Sequence, residues 1–520
     1  MRRGERHRVT PIAVIAVFAS ALSLLTFAAV SAPTVLYDAS VDFVEGFMIY
    51  NGLQVLRGAA YRDSPYVYPY PPLAYVMSAL SASAAPTCPI IGCRLFSLAA
   101  SVAILALCWL EAGRDKFTSL LAPAITALCP AFLYWAALCR ADQPAVLLSI
   151  ISIALFSRKL IIPSALAASM ALMFKQSYVA APLAILTYLA VTRRLREAAR
   201  YLAALSAFTA CLYLPLFIAT GGALGKHLLI YNLHAVSLSK PLEVLRGAFS
   251  GGFWVVYVPL LIPAYLRVRE DPYAAYYVIS FALATALSLK VGANTNYFIE
   301  AASIGGIQLA REMSRLKTKL PVALLCCVIL ASLALNPPTY LLNRVGDPSL
   351  IAESRTVASS LRGAAVIASE DAYIAVLSGS ELAAEPFIYR QLVSKGVFDD
   401  YLVDLTLNSS LDAAVLRWDD PSRFTTEFRT ALMLHYNCSK LKYYTVCFRP
   451  GEGPAYAPSE TTIPDLSLSA VQQWLLGLCR LILLFENWIA LASIFTLPPI
   501  LIFGGWLHEG CGDTRQKYRS

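Results

Sequence analysis

Two carboxylates three residues apart, Asp42 and Glu45 in VDFVEG, head the set of side chains able to do chemistry in this chain. On one helical turn that spacing puts both acids on one face. Later stretches add Arg140 and Asp142 in CRADQP, Lys175 and Gln176 in MFKQSY, and Lys226, His227 and His234 in one loop. LKVGANTNYFIE contributes Lys290, Asn294, Asn296, Tyr297 and Glu300. Acids of this kind accept protons and cations hold anions, provided that both open into one wet hollow. Nothing else in the chain offers comparable chemistry: GGALGKH lacks the spacing and hydroxyl of a phosphate loop, His508-Glu509 has no second histidine, and no GxSxG occurs.

Each of these groups has a plainer reading as well. Asp42 and Glu45 could be solvated loop acids, although their neighbours are apolar and aromatic. Arg140 with Asp142 could be a structural ion pair, and Lys175 could extend its ammonium to an interface. Asn294 and Asn296 could be turn residues beside Gly292, and His227 and His234 could be ordinary loop histidines. What favours a site is that all of them fall at the same end of the hydrophobic segments. A charge inside a membrane span costs about 2.5–3.5 kcal/mol, so Lys175 and Glu300 need partners or a water-filled cavity.

The elements that must position these groups are set by composition. Of the 520 residues 58 % are hydrophobic and 14 % charged, well below the quarter or so of charged residues in soluble domains. A polytopic helical membrane protein follows. Twelve spans are expected, at 11–31, 90–111, 118–136, 142–157, 160–174, 176–192, 199–219, 252–267, 273–289, 296–311, 319–336 and 484–506. A secretory signal is the other reading of the first, but its apolar run is as long as a bilayer is thick. Basic residues collect on alternate connections, among them Arg2, Arg3, Arg114, Arg158, Arg193, Arg194, Arg315 and Arg519, which puts both termini in the cytoplasm. The net charge of +9 is therefore topology, and nucleic acid is not a partner.

That parity requires 71–86, which opens with Pro-Pro, to lie along the outer surface as an interfacial helix. It belongs to an outer loop, 33–89, whose YVYPYPPLAY presents rigid prolines and amphipathic tyrosines. Residues 337–465 have ordinary charge density and short strand and helix signals (AAVIASED, YIAVLSG, DAAVLRW, YYTVCF), and form an extracytoplasmic α/β domain. Residues 466–483 read as an interfacial helix before the last span and a cytoplasmic tail. Most of the twelve cysteines lie in apolar runs as small hydrophobes. Cys438 and Cys447 share one hairpin, bridged or reduced.

Taken in order, VDFVEG, LRGAAYRD, YPYPPLAY, CRADQPAVLLS, FKQSYVAAP, KVGANTNYFIE and IASEDAYIAVLSGSELAAEPF resemble the membrane glycosyltransferases of the C-type fold, the superfamily of protein O-mannosyltransferases and lipid A aminoarabinose transferases. The resemblance runs through most of the chain. It implies a membrane catalytic domain over 1–336, with Asp42 or Glu45 as catalytic base and Asp142 as a second acid. The spacing of those first acids departs from the adjacent Asp-Glu pair commonest in the family, so the base stays between the two. The donor implied is a polyprenyl-phosphate sugar, transferred with inversion to an extracytoplasmic acceptor. Arg140, Lys175, Gln176, His227, Lys290, Asn294, Asn296, Tyr297 and Glu300 would bind substrate, with Tyr61, Tyr68 and Tyr70 roofing the cavity and stacking on sugar. No cofactor is assigned, and a divalent metal between the phosphate and Asp142 is left open. Other readings are a transporter or flippase of lipid-linked saccharides, which would show related halves and mid-membrane helix breaks, and a membrane scaffold, which leaves Lys175 and Glu300 unexplained.

Overall fold

The computed structural model describes residues 11–62, 64–113, 115–316, 320–335, 338–417, 423–451, 472–490 and 492–493. Helix α1 (Pro11–Leu36) leads into α2 (Phe43–Leu56), and the junction is written in the sequence. Asp42 is the N-cap of α2: its carboxylate accepts the Val44 amide at 3.1 Å, while Glu45 reaches back to the Asp42 amide at 3.2 Å. The three-residue spacing thus builds a capping box, satisfying amides that the first turn leaves without partners. Helix α3 (Pro72–Ser83) starts behind Pro71 and is the short helix expected at 71–86, since proline suits a first helical turn better than a helix interior.

Helices α4 (Pro89–Glu111), α5 (Lys116–Leu128), α6 (Pro130–Leu133), α7 (Asp142–Ser157), α8 (Ile161–Phe174), α9 (Ala180–Val191) and α10 (Leu195–Ala219) follow. Beyond them, Pro272–Leu287, Ile299–Arg315 and Leu320–Leu335 complete the helical unit.

Span lengths correct the expectation. Among the described residues, four helices are long and apolar enough to cross a membrane: α1, α4, α10 and Gln472–Ala490. A fifth arises if Leu320–Leu335 and Thr339–Ser360, bent by 41°, count as one. Most other expected spans are helices of 10–17 residues, and 14 residues reach only about 21 Å. Prolines and polar turns cut them: Pro130 restarts the chain as α6, and Lys175 ends α8. At the C-terminal end, Gln472–Ala490 runs unbroken across the boundary drawn at 483, because no helix breaker stands there; the remainder of the expected last span, 494–506, lies outside the described residues, as do 452–471, where the α/β domain was expected to end.

After Thr339–Ser360 comes a five-stranded sheet of order β2-β1-β3-β5-β4. Strands β1 (Val366–Ser369), β2 (Glu381–Leu382) and β3 (Ala413–Leu416) are parallel. Strands β4 (Asn437–Lys440) and β5 (Thr445–Phe448) add an antiparallel hairpin against β3. β3 is buried along its whole length, so DAAVLRW reads as an apolar run without alternation. Cys438 and Cys447 face each other across the hairpin and are disulfide-bonded.

The sheet unit is fused to the helical unit by buried polar contacts. Asp38 pairs with Arg355 and accepts the Tyr373 hydroxyl at 2.6 Å. Asp371 takes the Ser40 hydroxyl at 2.8 Å and that of Tyr444 at 2.9 Å, and pairs with Arg417. Contact between α2 and the helix Ala372–Ser378 is so close that a Cβ on Gly46 would overlap the backbone nitrogen of Tyr373. Gly46→Val is therefore expected to cost about 1–3 kcal/mol of stability and to loosen the sheet unit. Thermal unfolding together with faster proteolytic cleavage between the units is the check; a variant as stable and resistant as wild type would show that this contact gives way freely.

Candidate active-site cavity

Where the two units meet, a cavity of about 500 Å³ opens between the start of α2, the turn before α7, the loop after α8, the 290–297 loop and the sheet unit's 385–388 segment. Ten of the residues expected from sequence line it: Asp42, Tyr70, Arg140, Lys175, Gln176, His234, Lys290, Asn294, Asn296 and Tyr297.

Asp142 organises one wall without lining it. At 1 % exposure it lies behind the surface, and its Oδ1 accepts from Lys175 at 2.7 Å, Tyr178 at 2.9 Å and Asn296 at 3.0 Å. Oδ2 pairs with Arg140 Nε at 3.3 Å. A buried carboxylate is tolerable only with partners of this number and charge. Arg140 bridges outward to Asp42 and lies over Trp135 at 4.6 Å from the ring centroid. Lys175 faces the Tyr297 ring at 5.2 Å. Two cations are thereby held at the cavity wall by an acid that does not itself line it.

Lys290 differs from both: among the described residues no carboxylate pairs with it. Burial lowers its proton affinity, and Lys175 adds repulsion, so an incoming anion is the partner that would relieve it. Gln176 donates to the carbonyls of Pro69 at 3.0 Å and Leu228 at 3.3 Å, leaving its Oε1 buried without a hydrogen bond. Asn294 caps the short helix after it, accepting the Thr295 amide at 2.7 Å. Burial pushes the Tyr70 hydroxyl up to about 12, so it stays protonated.

Five other expected site residues do not line the cavity. Glu45 is fully buried and, unlike Asp42, does not line the cavity. It forms a two-pronged pair with Arg94 at 2.7 and 2.6 Å and accepts the amides of Val41 at 2.9 Å and Cys139 at 3.0 Å. Burial raises such a carboxyl, but here Arg94 and the amides outweigh it and hold Glu45 below the usual carboxylate range. Arg94 spends its other donors on the carbonyls of Thr34, Tyr37 and Ala39. The two acids of the capping box therefore differ in what they reach: Asp42 lines the cavity, while Glu45 is enclosed by Arg94 and backbone amides.

Glu300 accepts the Tyr276 hydroxyl at 2.5 Å inside the helical bundle. His227 is boxed by the rings of Tyr61, Tyr68 and Tyr231, and its two nitrogens meet the Tyr68 amide at 3.3 Å and the Arg62 carbonyl at 2.9 Å. The rings of Tyr61 and Tyr68 pack against each other, tilted by 45°, with centroids 5.2 Å apart. The tyrosine-proline stretch is chiefly a packing layer, with Tyr70 and Tyr75 its cavity-facing members.

Trp135, Asn51, Asn232, Glu385, Phe387 and Arg423, which carry no separate signal in the sequence, also line the cavity. Glu385 sat unnoticed within SELAAEPF; burial pushes its carboxyl up to about 7, against the pull of the Ile388 amide and Arg423. A second disulfide was also missed. Cys93 in α4 is bonded to Cys139, the residue before Arg140. It ties the turn that carries Arg140 and Asp142 to the helix that carries Arg94. Among the described residues no group of three or more His, Cys, Asp or Glu is placed to hold a metal ion.

No protein-family model and no curated protein sequence matches the chain. Solved structures do. ArnT from Cupriavidus metallidurans, bound to undecaprenyl phosphate, matches with a TM-score of 0.56 at 14 % identity, over 83 % of this chain and 97 % of that one. The same protein in its apo state matches with a TM-score of 0.56 at 13 % identity over the same shares. The resemblance read from the sequence motifs is thus met by the architecture: this chain has the C-type glycosyltransferase fold of the lipid A aminoarabinose transferase ArnT.

Proposed function

We infer that the protein is a membrane glycosyltransferase that moves a sugar from a polyprenyl-phosphate donor to a hydroxyl acceptor outside the cytoplasm, with inversion. One observation carries this reading: a single cavity joins Asp42 to Arg140, Lys175 and the unpaired Lys290 on a fold shared with a protein solved with undecaprenyl phosphate.

The chemistry divides along those residues. Lys290, Lys175 and Arg140 hold the donor phosphate and offset the charge that grows on it as the anomeric C–O bond breaks. Asp42 accepts the proton of the acceptor hydroxyl as the new C–O bond forms on the opposite face of the sugar. The products are the glycoside and polyprenyl phosphate, whose oxygen keeps the bonding electron pair. Because Asp42 touches Arg140, an acceptor bound to the one lies within a sugar ring of a phosphate bound to the other. With Glu45 locked to Arg94, the base is assigned to Asp42.

The side of the membrane is proposed from the disulfides. Cys93–Cys139 adjoins the cavity and Cys438–Cys447 belongs to the sheet unit, and such bonds persist in oxidising compartments. This supports a cavity facing away from the cytoplasm, both termini inside, and 337–465 as an extracytoplasmic domain.

Binding tests the donor assignment. Lys290→Ala is expected to weaken undecaprenyl phosphate at least about tenfold, the scale of a charge-assisted hydrogen bond, and to leave the unliganded thermal midpoint within a few degrees of wild type. Affinity unchanged in Lys290→Ala, or no binding by wild type, would remove the phosphate from this wall.

A further inference from the structure

The cavity has two walls of different origin. The helical unit supplies Asp42, Arg140, Lys175 and Lys290, whereas the sheet unit supplies Glu385, Phe387, Ile388 and Arg423. Glu385 is 4 % exposed. Its Oε2 caps the helix Pro386–Ser394 by accepting the Ile388 amide at 2.7 Å. Arg423 lies over the rings of Phe43 and Phe387, at 3.9 and 5.6 Å. The wall is also braced against the chemistry: the Phe387 ring occupies the space that a side chain on Gly292 would need, two residues beyond Lys290. His234 stacks on Phe387 at 5.9 Å and meets Gln391 at 2.8 Å.

We propose that Glu385 reads the transferred sugar, accepting hydrogen bonds from its ring hydroxyls, so that the sheet unit sets which glycosyl group is accepted while the helical unit performs the transfer. This rests on the polyprenyl-phosphate reading and extends it. Charge fixes the direction of the ligand. Three cations, Arg140, Lys175 and Lys290, draw a phosphate to the helical wall, against one, Arg423, beside Glu385 on the sheet wall, so the neutral end of the donor is the end that points to Glu385. The sugar follows the phosphate directly, within one ring. A carboxylate in a largely buried site discriminates well, because an analogue lacking the hydroxyl leaves it unpaired. Phe387 beside it offers a ring face to the C–H side of a sugar.

The test titrates full-length protein in detergent with undecaprenyl phosphate and with a series of undecaprenyl-phosphate hexoses, pentoses and N-acetylhexosamines, using wild type, Glu385→Gln and Glu385→Ala. Wild type is expected to bind one sugar-bearing probe at least tenfold tighter than the sugar-free lipid. Both variants should keep their sugar-free affinity within threefold and lose about 10- to 100-fold of that preference. Unchanged preference in the variants overturns the proposal, as does a wild type that binds every probe alike. Loss of sugar-free binding in both variants marks a purely structural Glu385, and an effect confined to the acceptor's KM moves the residue to the acceptor; either result overturns it too. If wild type fails to bind undecaprenyl phosphate at all, the donor reading falls first and takes this one with it.

Discussion

Asp42→Asn is expected to lower kcat by about 10²- to 10⁴-fold, the usual contribution of a positioned general base, with donor affinity changed far less. Asparagine keeps the oxygen that accepts the Val44 amide and remains a good N-cap, so α2 should form as before. What it loses is proton affinity and the ion pair with Arg140. A single-turnover experiment separates the effects, since binding is measured before chemistry. Normal turnover by a folded Asp42→Asn protein would show that another group takes the proton, and the base assignment would fail.

The opposite outcome is expected one helical turn away. Arg94→Met should cost about 3–5 kcal/mol, because it strands the Glu45 carboxylate at 0 % exposure with its positive partner gone. The cost falls on folding, with activity lost in step. Three carbonyls, those of Thr34, Tyr37 and Ala39, also lose their donor, which works against compensation by a second apolar substitution at position 45. Glu45→Gln should be milder, since its amide oxygen still accepts backbone hydrogen. Denaturant unfolding gives the comparison: a stability change under about 1 kcal/mol for Arg94→Met would return Glu45 to the list of available bases. Asp42 and Glu45 are thus separable by whether activity is lost with the fold or without it.

The outline of this molecule was legible in its sequence because short-range patterns determine it. Apolar segments gave the helical unit, Pro71-Pro72 marked the start of α3, and the apolar run in DAAVLRW marked a buried strand. The Arg140–Asp142 pair could be suspected at a separation of two. What escaped was set by partners distant in sequence. Arg94 stands in an apolar run that reads as a span, and only its approach to Glu45, 49 residues earlier, reveals its work. Cys93 and Cys139 are 46 residues apart, and each resembles a buried thiol when seen alone. Glu300 was drawn into the site because an intramembrane acid needs a reason, and the reason is Tyr276, 24 residues away. Glu385 became distinctive only through its burial in the cavity wall, an effect no local pattern encodes.

Span count shows the same limit in another form. Hydropathy locates apolar segments well, but it does not report where a proline or a lysine ends a helix early. Hence segments such as Asp142–Ser157 and Ile161–Phe174 are shorter than a bilayer is thick. Several of those early ends face the cavity: Lys175 closes α8 and Asp142 opens α7, and the polar residues there are the ones proposed to act.

The most direct test incubates purified full-length protein with the undecaprenyl-phosphate sugars and a hydroxyl acceptor extract from the same membrane, and measures release of free undecaprenyl phosphate. Release by wild type with at least one donor, and its absence in Asp42→Asn protein that still binds that donor, is the expected result. Bound donor that wild type never cleaves, or equal release by wild type and Asp42→Asn, would contradict a cavity built for glycosyl transfer.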